Sequence, residues 1–105
     1  MAQFDVYPNP SKSQRADIPW IVEVQSELLS ALPTRLVVPL ALRRNMPAAV
    51  PRALCPSIDW AEEELVALPH LAAPFRARDL GKAQGNLRMQ AAALIGALDA
   101  VLSGI

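Results

Sequence analysis

Few side chains in this chain have the type and spacing for bond-making chemistry. The single histidine, His70, follows Pro69 and stands between Leu68 and Leu71, with no carboxylate within three positions. A lone imidazole in that setting reads as a turn or partly buried structural residue rather than a general base. Cys55 lies between Leu54 and Pro56 with no flanking base, so it reads as a small buried hydrophobe rather than a nucleophile. The run Glu62-Glu63-Glu64 would suggest a cation site, but adjacent carboxylates on a strand point to opposite faces, and a solvated hairpin tip is expected. Arg43-Arg44 and Arg76/Arg78 are short basic pairs. Arg76 and Arg78 share one face of an extended strand and could pin a carboxylate, yet a solvent-facing strand explains them without function. Gly81, Gly85 and Gly96 fit no phosphate-cradling spacing. No catalytic or metal-ligating constellation is legible, so the chain is expected to be no enzyme and to need no cofactor.

Composition narrows the classes further. Ten Lys or Arg balance ten Asp or Glu in 105 residues, and a neutral chain lacks the basic excess that holds DNA or RNA by phosphate neutralisation. Hydrophobic residues make up 52%, which excludes a disordered chain. The length fits a single domain over residues 1–105. One cysteine forms no internal disulfide and fits a reducing compartment. No charged-then-apolar leader opens the sequence and no apolar run approaches about 18 residues, so a cytoplasmic protein without membrane contact is expected.

The elements that must position these residues divide at proline. All ten prolines lie between Pro8 and Pro74. Proline breaks helix interiors, so this part favours short strands, turns and at most single helical turns. Gln3–Tyr7 alternates polar and apolar. Trp20–Gln25 places Trp20, Val22 and Val24 on one face, and Leu36-Val37-Val38 suits a strand buried on both faces. Arg52–Ile58, Glu64–Leu68 and Phe75–Arg78 are weaker strand candidates, and Ser11–Asp17 reads as a polar loop. Such spacing suggests a small barrel or sandwich over about residues 1–80. From Leu87 to Ser103 the periodicity is helical. Leu87, Leu94, Ile95, Leu98, Val101 and Leu102 are expected to face the barrel. Arg88, Ala92, Gly96, Asp99 and Ser103 run around the other side, and Gly104 stands where a helix commonly ends.

Several strings, taken in order, resemble the CcdB family of toxins from type II toxin–antitoxin systems. Gln3-Phe4-Asp5-Val6-Tyr7 resembles that family's first strand, and Val22–Leu29 its second strand with the following apolar pair. Thr34–Leu40 resembles the third; Leu54-Cys55-Pro56, Leu80-Gly81 and the helix running through Ala97-Leu98-Asp99 to Gly104-Ile105 complete the likeness, without gaps from Pro56 onward. The resemblance implies a mainly β fold, an SH3-like small barrel with extra strands and a C-terminal helix, assembled as a homodimer. It also implies poisoning of DNA gyrase through its GyrA subunit, relief by a CcdA-like antitoxin, and a part in plasmid maintenance. Carried over by position, the gyrase-contacting surface is Leu28, Leu29, Asp99, Ser103, Gly104 and Ile105.

One position departs from the family pattern. The family typically has Trp-Gly-Ile where this chain has Ser103-Gly104-Ile105, and Asp99 replaces an Asn-like residue on the same stripe. An aromatic anchor is a usual interface hot spot, worth about 2 kcal/mol or more. A second reading is therefore a diverged CcdB-fold protein that binds another partner or sequesters antitoxin. A third rests on fold analogy alone: endoribonuclease toxins of the MazF and Kid type share the barrel, but need an acid–base set and a basic channel that are not legible here.

Overall fold

The computed structural model describes residues 2–47, 51 and 53–104. Among these lie seven strands and one α-helix: β1 Asp5–Pro8, β2 Trp20–Glu23, β3 Thr34–Leu42, β4 Ser57–Trp60, β5 Glu63–Ala67, β6 Ala73–Arg76, β7 Gly85–Asn86 and α1 Ala91–Ser103. All pairings are antiparallel, in the order β4-β5-β3-β2-β1-β7, with β6 beside β3. Between Pro8 and Pro74 the helical segments among the described residues are single 3-10 turns, at Glu27–Leu29, Arg43–Asn45 and Pro69–Leu71, as the prolines favour; another, Ala77–Asp79, follows.

β3 is the spine of the sheet. Its first half pairs with β6, from Thr34↔Arg76 to Val37↔Ala73, and its second half with β5, from Leu40↔Ala67 to Leu42↔Leu65. Pro39 sits at the changeover. Its carbonyl accepts the Leu68 N–H at 2.9 Å, on the side away from β2, so the missing N–H removes no bond of the β2–β3 ladder.

Alternation along the strands divides the core. Phe4, Val6, Val22, Val24, Val38, Leu40, Ile58 and Leu65 fill the inner face together with Leu87 and Leu94. The opposite registers of β1, β2 and β3 send Tyr7, Ile21 and Val37 to a second cluster with Leu80. Trp20, Val22 and Val24 share the inner face as the alternation predicts, and Val37 and Val38 are buried on opposite faces. Ser11–Asp17 is a loop of turns.

Several boundaries differ from the sequence expectation. β1 begins at Asp5 because Phe4 adopts a left-handed φ of 71° in a turn closed by the Asp5 N–H on the Ala2 carbonyl, 3.0 Å. β4 and β6 are shifted to Ser57–Trp60 and Ala73–Arg76, which leaves Arg78 in a 3-10 turn rather than on a strand; β7 carried no periodic signal at two residues. Arg52 lies outside the described residues. The helix proper starts at Ala91, after a 3-10 turn at Arg88–Gln90, and ends with Gly104 at φ 74°, its N–H on the Ala100 carbonyl at 2.8 Å. The left-handed residue at that position favours glycine.

The buried stripe of α1 is also rotated from expectation. Leu94, Ala97 and Ala100 are buried and Ala91 and Leu98 pack on the core, whereas Ile95, Val101 and Leu102 are exposed. Small alanines let the helix lie close to the Pro69–Leu71 turn, and the large residues beside them are turned outward.

The expected barrel is a half-barrel. The sheet path ends at β4 and β7, which share no ladder. The Trp60 indole spans that opening: a Cβ on Gly85 would overlap its ring, and Trp20 meets it edge-on with centroids 6.1 Å apart. Gly85→Ala is therefore expected to displace Trp60 and destabilise the fold by about 1–3 kcal/mol. Thermal melting followed by tryptophan fluorescence would check this, and an unchanged midpoint would refute it.

Candidate functional site

The residues carried over by position fall on two segments. Leu28 and Leu29 lie in the 3-10 turn Glu27–Leu29, capped by the Ser26 hydroxyl, which accepts the Leu28 N–H at 3.2 Å. Both are exposed, Leu28 at 94%, and so are Leu32 and Leu36 nearby in the chain, which no sequence signal singles out. Asp99, Ser103 and Gly104 are exposed at the end of α1, next to Leu102 at 84%. Ile105 lies outside the described residues. None of the described ones joins a hydrophobic cluster, and no hydrogen bond links the two segments among the described residues. The Ser103 hydroxyl instead donates back to the Asp99 carbonyl at 2.6 Å.

The leucine segment is tied down from two sides. From the surface, Gln25 donates to the carbonyls of Leu29 at 3.2 Å and Thr34 at 3.0 Å and accepts the Leu36 N–H at 2.9 Å. From within, Arg35 donates through Nη2 to the Ser30 carbonyl at 2.8 Å, and through Nη1 to Thr34 at 3.0 Å and to Leu32. Arg35 is itself buried, with Glu23 beside it: Nε to Oε2 is 3.6 Å, and the Tyr7 hydroxyl donates to Glu23 Oε1 at 3.3 Å. Burial raises the Glu23 carboxyl above its ordinary range, against the opposing pull of Arg35. Burial, with the Glu23 charge second, also holds the Tyr7 phenol well above its ordinary value. Composition gave no sign of this group, because each member alternates along a strand as an outward-facing polar residue would.

The other chemistry-bearing residues separate. Glu62 stands at the tip of the β4–β5 hairpin, where Ala61 and Glu62 both take left-handed φ values, 52° and 63°. The acidic run meets the arginine pair: Arg43 to Glu64 is 3.4 Å and Arg44 to Glu63 is 3.2 Å. Exposed pairs of this kind contribute at most about 1 kcal/mol. Arg76 and Arg78 line a surface cavity of about 460 Å³ with Pro33, Thr34 and Ala77. His70 is exposed in the Pro69–Leu71 turn, and Cys55 is buried with Ala41, Val66 and Leu68, which pushes its thiol up. No group of His, Cys, Asp and Glu among the described residues has metal-site geometry. No helix of the described residues is long and apolar enough to cross a membrane.

What this arrangement offers is apolar contact area on an ordered loop and at a helix end. Leu28→Ser should change folding stability by less than about 0.5 kcal/mol, as for other exposed positions. Leu94→Ala, inside the core, should cost about 2–5 kcal/mol. Chemical denaturation of the two variants beside the parent checks the contrast, and a large loss from Leu28→Ser would show that the loop supports the core.

Comparison with known proteins gives one finding of identity. The family model described as CcdB protein matches residues 3–104 of the chain. No curated protein matches it.

Proposed function

We propose, from the premise that the chain belongs to the CcdB family, that this CcdB-like toxin acts by binding the GyrA subunit of DNA gyrase and holding the enzyme on cleaved DNA. The observation that carries the reading is Leu28 with Leu29, presented to solvent on an anchored turn, at the position the family resemblance implies for contact. Apolar side chains held out from a rigid turn incur little ordering cost when a partner covers them. No bond in the toxin is made or broken in such a step, so the scarcity of catalytic groups is no obstacle. A CcdA-like antitoxin would compete for the toxin and release gyrase. The proposed setting is cytoplasmic.

A second copy of the chain belongs to the same reading. Ala92, Gly96 and Ser103 form an exposed stripe of small residues on α1, flanked by exposed Ile95 and Leu102. A two-fold pair would bring the ends of two helices to one surface, the commonest closed assembly. Sedimentation equilibrium at micromolar concentration should find twice the 11.4 kDa chain mass. A purely monomeric species would remove the dimer from the proposal.

Ser103 favours weak poisoning, and with it the second reading of a fold that serves another partner. A serine whose hydroxyl is already bonded to the Asp99 carbonyl presents neither an aromatic face nor a free donor. The chain is expected to inhibit bacterial gyrase weakly, and Ser103→Trp to strengthen inhibition at least about tenfold, the equivalent of 1.4 kcal/mol. Supercoiling and cleavage-complex assays with both proteins decide it. Equal and potent poisoning would show that another surface grips the enzyme; absence of GyrA binding by either would favour a different partner.

A further inference from the structure

We propose that Arg35 is a positioning residue for the leucine-bearing loop: its guanidinium fixes the backbone from Ser30 to Thr34, and so the presentation of Leu28, Leu29 and Leu32 to a partner. The inference rests on the reading of that loop as the docking surface and adds the residue that holds it in place.

The geometry is particular. Arg35 is 8% exposed and Glu23 4%, both on the sheet face that also buries Tyr7. One guanidinium reaches the carbonyls of Ser30, Leu32 and Thr34, while Nε faces the Glu23 carboxylate. The loop it holds contributes no residue to the hydrophobic clusters, and residues 26–34 are all exposed. Its own bonds are the short 3-10 ones, Leu29 N–H to Ser26, Ser30 to Glu27 and Leu32 to Leu29, each 3.0 Å. Isolated 3-10 turns are poorly stabilised, and without buried side chains the loop depends on anchors outside itself. Gln25 is a second anchor, on the surface, and the Ala77 N–H on the Pro33 carbonyl, 2.8 Å, is a third at the end of the loop away from Leu28 and Leu29.

A simple stabilising ion pair would not need the carbonyl contacts. Replacing a buried pair by apolar residues of similar volume often preserves stability, whereas removing one partner strands the other charge. Lysine keeps the charge toward Glu23 but lacks the rigid planar fork that spans several carbonyls. These two facts separate positioning from stability.

The test uses Arg35→Lys and the triple variant Tyr7→Phe/Glu23→Leu/Arg35→Met. Both are compared with the parent by thermal melting, backbone order parameters and affinity for a purified fragment of the GyrA dimerisation region. Expected are cooperative melting, unchanged order in β2 and β3, amide order parameters for residues 27–32 falling from about 0.85 toward 0.6, and affinity lower by at least about tenfold. A folded variant with parental loop order overturns the proposal, as does a loosened loop with undiminished affinity. If the parent itself binds no GyrA, the functional reading falls, and the order parameters still decide whether Arg35 holds the loop. Should neither variant fold, the parent labelled at arginine decides: individually resolved Nη protons for Arg35 support the clamp, and a single averaged signal refutes it.

Discussion

A carboxylate, a guanidinium and a phenol meet beneath one face of the sheet, and the buried pairing of Glu23 with Arg35 constrains much of what surrounds it. Each charge taken out of water costs several kcal/mol, which attraction and hydrogen bonds must offset. Glu23 receives both from Arg35 and Tyr7. Those contacts fix the registers of β1, β2 and β3 relative to one another, since a slip of one residue would carry Tyr7, Glu23 or Arg35 to the apolar inner face. Arg35 retains donors after facing Glu23, and these go to the loop carbonyls. The register of the sheet and the order of an exposed loop thus depend on the same three side chains.

The inner face is solved differently. Seven strands without a pairing between β4 and β7 leave an open half-barrel, and the aromatic ring of Trp60 rather than a ladder spans the gap above Gly85. Its indole Nε1 is buried without a hydrogen bond among the described residues, so the indole serves there as packing volume. α1 covers the remaining apolar area through Leu94, Ala97 and Leu98. Ile95 and Leu102, to either side of that stripe, remain outside.

This difference between the two faces explains what was legible in the sequence. Trp20, Val22 and Val24 alternate strictly, and a period of two assigns their face without further information. Gly104 ends the helix because it can take a left-handed conformation, which composition alone signals. The network was not legible: Tyr7, Glu23 and Arg35 occupy the positions where polar residues normally meet solvent, and only the second cluster of Ile21, Val37 and Leu80 makes that face interior. The face of α1 was not legible for a related reason: the spacing of its large residues points to Ile95, Val101 and Leu102, whereas Leu94, Ala97 and Ala100 are the buried ones. Leu28 and Leu29 stand out only by position in a family pattern; Leu32 and Leu36 carry no periodic signal that would separate an exposed leucine from a core one.

The leucine loop and the helix end need not contribute equally to the proposed interface. A tryptophan buries about 150–250 Å², which at about 25 cal/mol per Å² corresponds to about 4–6 kcal/mol of transfer free energy. Ser103 supplies almost none of this, and its hydroxyl is engaged within the helix. The apolar contribution left to a partner then comes mainly from Leu28, Leu29 and their neighbours, at about 1.5–3 kcal/mol for each leucine fully covered. These gains are reduced by whatever ordering the loop undergoes on binding, about 1–2 kcal/mol per residue fixed. A loop already fixed by Arg35 and Gln25 avoids most of that cost. With an aromatic anchor, loop order would be one contribution among several at the proposed interface; with serine at the helix end it would become the term on which affinity chiefly depends. At the proposed interface the buried charge pair and the exposed leucines would therefore act as parts of one energetic arrangement.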